Sequence, residues 1–489
     1  MLYKVTIHNR NHRKGAPVAD SNKVLKSGLW YIISNIMIRA VGIITSPIYT
    51  RLLSPEEKVL ADNFNSYVSI FTTVTCLCLI YSVGRAKLDF PDTFDKYMSA
   101  IQSLSSLFGI VVLCIVTTQF DRLSVLMQYQ KIELFLMFLY LVIYPSIDYM
   151  QYKYRFEYKY KENIAISVII CIVTVFLSIG LILAMPEQKS FAKILGTVLP
   201  GMIVGLWCYI TLLKNGRTLY NKEYWIYALK IGLPMIPHGL ALVILNKIDS
   251  LMIMGYCGKH DGGIYTTGYS IAVLLSVITN AIGQAWLPWF NEKLHVGEKK
   301  VISDKNILLM LLGCVLTLGF ITIGPEAIKL LTAPAYWDCM YVVPPVAIGT
   351  LCQYFYTNYV NLELYHKKTS IIAINSIAAA VINVILNYYF IQKFGYLAAA
   401  YTTVAGYFIL MILHYIATRY ILGEKLYNDL LYFLMLIVSG IAGCSMLYVY
   451  NNWILRYIIA IVFFTLVGLW RKSDVIMLIG IIKKKYLHR

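Results

Sequence analysis

Apolar runs of roughly twenty residues recur from one end of the chain to the other, divided by short polar stretches rich in lysine and arginine. Wound as α-helix at about 1.5 Å per residue, each run covers the hydrocarbon thickness of a bilayer. The runs fall near 28–50, 63–84, 98–118, 132–150, 164–184, 191–213 and 228–255. They continue near 264–287, 306–324, 341–362, 370–391, 396–418, 429–450 and 453–470. The pattern predicts an all-α polytopic membrane protein with about 14 transmembrane helices.

Composition agrees. Of 489 residues, 59% are hydrophobic and 14% charged, with a mean hydropathy of +0.65, whereas soluble domains carry about 25% charged residues. The formal net charge of +18 raises the question of nucleic acid, and its distribution answers it. With a cytoplasmic N-terminus, lysine and arginine concentrate in the two tails and the even-numbered inner loops, and only Arg39 and Lys247 are counted within spans, with Lys193, Lys230 and Arg456 at span ends going with the adjoining loops. That asymmetry is the positive-inside bias, so no nucleic acid is needed to explain it. The stretch "QYKYRFEYKYK", Gln151 to Lys161, interleaves aromatics and bases. As a helix it would set Glu157 one turn from Lys153 and Lys161 and align Tyr152, Phe156 and Tyr160, as expected of a span extending into the headgroup layer.

Residues 1–27 are polar and basic, without an apolar core or cleavage site, and are expected to be a cytoplasmic tail, not a cleaved signal peptide. The ten cysteines form no CxxC and lie mostly in spans, which fits small packing residues better than disulfides or a metal site. The eight histidines show no HExxH, and "GYCGKHDGG" lacks the spacing of a phosphate-wrapping loop. No catalytic residue, metal or cofactor is expected. Short loops on both sides leave no room for a soluble catalytic domain, which leaves a carrier.

An internal repeat organises the spans. Leu25-Lys26-x-Gly28-Leu29 opens the first and Leu229-Lys230-x-Gly232-Leu233 the seventh, an offset of 204 that also aligns Ser66 with Ser270. Six is even, so two six-helix lobes run as a parallel pseudo-repeat, with a C-terminal helix pair beyond them. The expected units are a tail at 1–27, an N-terminal lobe at 28–213, a C-terminal lobe at 214–420, the extra pair at 421–470 and a basic tail at 471–489. Carriers of two such lobes bind between them and alternate access to the two sides.

Polar residues at bilayer depth mark candidate sites, because each charge there costs roughly 2.5–3.5 kcal/mol on insertion scales. Lys247 and Asp249 are two apart, so they diverge by about 200° on a helix and cannot neutralise each other side by side. His238 and Asp249 share a face flanked by Asn246. In the first span Asn35, Arg39, Gly42 and Ser46 form a stripe suited to the bundle interior. Two readings stand. Arg39 and Asp249 form a structural salt bridge while Lys247 snorkels outward; or Arg39, Lys247, Asn35 and His238 line a cavity for an anionic substrate, with Asp249 in ion coupling or gating. Ser376, Ala380, Asn383 and Asn387 line one side of the eleventh span and fit helix–helix contact better than a ligand site.

Several stretches resemble one family: "SPIYTRLLSPEE", "LKIGLPMIPHGLA", "NKIDSLMI" with "GGIYTTGYSIA", and "NLELYHKKTSIIAINSIAAAVINVILNYYFIQKFGYLAAAYTT". These are similar to bacterial polysaccharide biosynthesis membrane proteins, oligosaccharide-lipid flippases of the multidrug/oligosaccharidyl-lipid/polysaccharide exporter superfamily. The family's usual Glu-Tyr-Gly after "LLSPE" is Glu57-Lys58-Val59 here. The resemblance implies two lobes around a central cavity in the bacterial cytoplasmic (inner) membrane, with both termini cytoplasmic. It implies as substrate an oligosaccharide unit on undecaprenyl pyrophosphate, moved to the outer leaflet for O-antigen, lipopolysaccharide or capsule synthesis. Membrane lipids, and by pathway logic a polysaccharide polymerase, are the further expected partners. A multidrug exporter of the same superfamily calls instead for carboxylates at the cavity. A glycan polymerase or ligase calls for a sizeable outer loop with clustered Arg or His, and none is visible.

Overall fold

A computed structural model describes residues 41–157 and 159–470, and the described residues are helical throughout, without strands. Helix α1 covers 41–52. It is followed by α2 (Pro55–Thr75), α3 (Ile80–Asp89), α4 (Phe94–Thr117), α5 (Phe120–Met127), α6 (Lys131–Ile143) and α7 (Pro145–Phe156). Next come α8 (Tyr160–Ala184), α9 (Lys189–Gly216), α10 (Lys222–Gly232), α11 (Ile236–Tyr256), α12 (Lys259–Ala272) and α13 (Leu275–Val296). Then follow α14 (Lys299–Thr322), α15 (Gly324–Leu331), α16 (Val343–Tyr365), α17 (Thr369–Phe394) and α18 (Tyr396–Ile416), with α19 (Asp429–Ser445) and α20 (Trp453–Trp470) completing the series.

Among the described residues eleven helices, some continuous across a short break, are long and apolar enough to cross a membrane; the bent pair α2–α3 makes a twelfth. Of the expected 14, the span at 28–50 lies largely outside the described residues. The span at 341–362 is α16, which is 23 residues long. It is more polar, carrying Gln353, Asn358, Asn361 and Glu363, and it tolerates them because most of its residues are buried by protein.

Two breaks position the site. The second span, read as one helix over 63–84, bends by 43° between α2 and α3. Leu77 and Cys78 there have φ of 52° and 50°, the left-handed region that side chains other than glycine rarely adopt. The seventh span breaks at Leu233–Met235, where Pro234 removes a backbone donor. The two breaks touch, for a Cβ on Gly232 would lie 2.5 Å from the Leu77 carbonyl oxygen. Tertiary packing fixes this bend; local turn chemistry does not.

The cores divide about the same point. Phe94, Tyr97, Ile101, Tyr149, Cys208 and Leu212 cluster with Tyr224 and Ala228 of α10. Leu245 of α11 packs instead with α13, α14, α16 and α18–α20. The seventh span thus threads from one body into the other through its break. The N-terminus of α2 is set by sequence: Ser54 accepts from Glu57 N while the Glu57 carboxylate accepts from Ser54 N, and Pro55 occupies the first turn. This capping box starts the helix at Pro55, ahead of the expected 63, and carries Lys58 and Asp62 onto it.

Two further expectations are corrected. Gln151 to Lys161 is not one helix, for α7 ends at Phe156 and α8 begins at Tyr160. Glu157 lies 3.9 Å from Lys153, as expected, but its nearer partner is Lys159 at 2.7 Å and not Lys161, and buried Lys153 also pairs with Asp95 at 2.5 Å; the chain must turn here to return antiparallel. Lys193 and Arg456, counted with the loops, lie on membrane-length helices. All ten cysteines are free.

Candidate functional site

Three adjoining cavities occupy the junction between the two bodies. The first, about 310 Å³, lies between α1, α2, α9 and α12 and is lined by Ser46, Tyr49, Lys58, Asp62, Lys193 and Ser270. The second, about 200 Å³, shares Asp62 and Ser270 with the first and adds Ser66, Lys247, Asp249 and Tyr265. The third, about 320 Å³, shares Lys247, Asn246 and Tyr269 with the second and reaches Asn280, Gln353 and Tyr407. Ser66 and Ser270, aligned by the 204-residue repeat, line the same cavity, and Glu56 and His260, at the same offset, are in hydrogen-bond contact at 2.7 Å.

Arg39 and Asn35 lie outside the described residues. The continuation of their stripe, Gly42 and Ser46, faces the first cavity. Lys247 projects into the second and third cavities and, among the described residues, has no carboxylate within 4 Å. Its divergence from Asp249 is as the helix geometry requires. His238 does not join this group: it is half-buried on the first turn of α11, with a buried Nδ1 that has no hydrogen-bond partner among the described residues, and it lines none of the three cavities.

Asp249 is 2% exposed and surrounded by neutral donors. Its Oδ2 accepts from Tyr265 Oη at 2.9 Å and Thr403 Oγ1 at 2.5 Å, and its Oδ1 from Asn387 Nδ2 at 2.5 Å. Asn387 is held in turn by Asn383 and Thr402. The Asn383–Asn387 side of α17 therefore makes helix–helix contact, binding α17 to α11 and α18 and supplying an amide to the Asp249 carboxylate. A buried carboxylate held by hydroxyls and an amide, without a described cation, is costly unless a proton or cation accompanies it.

The residues missed by sequence reasoning are Lys58, Asp62 and Lys193. Asp62 Oδ2 meets Lys58 Nζ at 2.5 Å and its Oδ1 meets Lys193 Nζ at 2.9 Å, with the Lys193 ammonium also 5.1 Å from the Tyr49 ring centre. The signal lay in the i, i+4 spacing of Lys58 and Asp62 just after a capping-box sequence.

One end of the junction is closed by direct contacts. Tyr336 Oη donates to Leu53 O at 2.9 Å, and a Cβ on Gly263 would lie 2.1 Å from the Pro55 carbonyl oxygen. Asn63 and Ser250 hydrogen-bond α2 to α11 beside the second cavity.

Residues 24–293 match the family described as polysaccharide biosynthesis protein. An uncharacterized membrane protein of Haemophilus influenzae is 25% identical over 197 residues, 39% of this chain and 48% of that protein. The Lsg locus putative protein 1 of the same organism is 23% identical over 201 residues, covering 39% and 50%. The chain thus matches about half the length of these curated relatives. The lipid II flippase MurJ in an inward closed conformation is similar in structure, with a TM-score of 0.70 at 10% identity over 91% of this chain and 99% of that one. An inward-facing multidrug transporter of the MATE family and MOP superfamily gives 0.62 at 14% identity, over 80% and 98%. A MOP-superfamily transporter from Pyrococcus furiosus, described as having a binding pocket of reversed polarity, gives 0.57 at 14% identity, over 82% and 95%. At these identities the likeness is one of fold.

Proposed function

Because the chain belongs to the polysaccharide biosynthesis protein family, we propose that it is a flippase, carrying undecaprenyl-pyrophosphate-linked oligosaccharide units from the cytoplasmic to the outer leaflet by alternating access. The observation that carries this reading is the charge of the cavity walls: Lys58, Lys193 and Lys247 face Asp62 and Asp249. An excess of ammonium groups suits a pyrophosphate, while Asn246, Asn280, Gln353 and Tyr407 offer amides and an aromatic hydroxyl to sugars. A carrier of organic cations would want the opposite balance.

Arg39, three positions before Gly42 in the sequence, joins the basic wall in this account, and Asp249 acts as coupling or gating carboxylate. The two lobes expected at 28–213 and 214–420 move about the touching breaks, with α10 of the second packed on the first, and the extra pair 421–470 rides on the second. The lipid tail stays in the bilayer beside the lobes. O-antigen or capsule is the product class, and the cytoplasmic (inner) membrane with both termini inside is the setting.

The test is a deletion strain in which lipid-linked single repeat units are assayed by leaflet. Units stranded on the cytoplasmic side, released by the wild-type gene but not by Arg39→Ala, are the expected result. Single units that reach the outer leaflet but never lengthen would indicate a polymerase. Normal surface polysaccharide with altered drug tolerance would indicate an exporter.

A further inference from the structure

We propose that Lys58 and Lys193 form an anion subsite for a phosphate-class head group, and that Asp62 is a built-in competing anion which an incoming phosphate displaces. The proposal rests on the flippase reading for the source of that head group, and on the triad's own geometry for the subsite.

The two ammonium groups converge on one carboxylate, one at each oxygen, at 2.5 and 2.9 Å. Two cations held against two oxygens of one group is the arrangement a phosphate takes between lysines. Lys58 is 7% exposed and Lys193 is 9% exposed, so both are desolvated, yet a single carboxylate serves them. Pinning α2 to α9 needs only one ion pair; a second buried lysine adds repulsion and a further desolvation cost. Among the described residues no other carboxylate pairs with either lysine. The uncompensated positive charge faces the first cavity, beside the Ser270 hydroxyl, which can donate to an anion; the hydroxyls of Ser46 and Thr267 line the same cavity but donate to Leu331 O and Gly263 O.

Asp62 has somewhere to go. It lines the second cavity as well as the first, and that cavity also holds Lys247, which no described carboxylate neutralises. When a phosphate takes the lysine pair, Asp62 turns toward Lys247, and each charge keeps a partner.

The experiment is calorimetric titration of the full chain, in nanodiscs of neutral lipid, with inorganic pyrophosphate. Wild type is expected to bind, Lys58→Met and Lys193→Met to bind about tenfold more weakly, and Asp62→Asn about tenfold more tightly. Should Asp62→Asn fail to fold, Lys58→Met/Asp62→Asn restores the triad's wild-type net charge. That double variant is expected to bind at least as tightly as wild type and well above Lys58→Met alone. Lysine variants that bind like wild type overturn the subsite, and unchanged affinity in Asp62→Asn overturns the competing role. Displacement of pyrophosphate by an isoprenyl pyrophosphate lipid, but not by phosphatidylglycerol, supports a lipid-linked head group. Displacement by soluble phosphates alone overturns that source. The leaflet assay separates the two claims: unimpaired flipping in Lys58→Met/Lys193→Met sinks the subsite, and pyrophosphate binding in a protein whose deletion strands no lipid-linked unit sinks the flippase reading.

Discussion

Asn63 of α2 and Ser250 of α11 hydrogen-bond each other twice across the junction of the two bodies: Asn63 Nδ2 donates to Ser250 O at 3.3 Å, and Ser250 Oγ donates to Asn63 Oδ1. Asn63 is fully buried, so the pair acts as a lock between halves that must separate if the carrier is to open there. Asn63→Ala leaves the buried Ser250 hydroxyl without its partner across the junction, at a cost of about 1–3 kcal/mol to the closed state. A single cysteine placed at Ser66, in the adjoining cavity, is then expected to react faster with a membrane-impermeant thiol reagent. Unchanged labelling would mean that the lock does not govern opening.

Close backbone approach makes a second, steric prediction. A methyl group at Gly263 meets the Pro55 carbonyl oxygen at 2.1 Å, whereas one at Gly283 meets nothing within 4 Å. Gly263→Ala should wedge α12 from α2 and reduce transport about tenfold or more, while Gly283→Ala stays near wild type on both transport and melting temperature. Equal behaviour of the two variants would show that this contact is not part of the working cycle.

Asp249 carries a prediction about coupling. Asp249→Asn keeps the size of the side chain and most of its hydrogen bonds to Tyr265, Thr403 and Asn387, but removes the charge. Transport by this variant should lose whatever Na⁺ or proton dependence the wild type shows, with the protein still folded and inserted. Ion dependence that survives the change removes Asp249 as the coupling site.

The last described helix is held by a buried cation. Arg456 on α20, 1% exposed, pairs with Glu326 and donates to Tyr450 O at 2.8 Å. Arg456→Met should destabilise the docking of α20 by about 1.5–3 kcal/mol, read as faster hydrogen exchange over 446–470. If exchange there is unchanged, the apolar contacts of α20 suffice to dock it.

These residues differ in how far the sequence announced them. The stripe through Gly42 and Ser46 and the depth of Asp249 followed from helical spacing and insertion cost, and both face the junction. The bend at Leu77–Cys78 did not, since neither residue favours the left-handed region; it packs against Gly232, 155 positions away in the chain, whose lack of a side chain leaves room for the Leu77 carbonyl. Lys58 and Asp62 escaped notice because the apolar run begins after them, while the capping box at Ser54 starts the helix before them. Lys193 and Arg456 sit near helix ends, where hydropathy cannot tell a buried lysine or arginine from a loop one. His238, which shared a face with Asp249 on an ideal helix, is separated from the cavities although α11 runs unbroken between them.

The central claim, that a basic junction carries a pyrophosphate-linked lipid across the bilayer, is tested most directly by reconstitution. The purified chain in proteoliposomes would be given an isoprenyl pyrophosphate-linked sugar, and its appearance in the opposite leaflet followed with an impermeant lectin or hydrolase. Wild type should move the lipid, and the variant Lys58→Met/Lys193→Met/Lys247→Met should not, while retaining its fold by thermal melting. Undiminished movement in that variant would contradict the account.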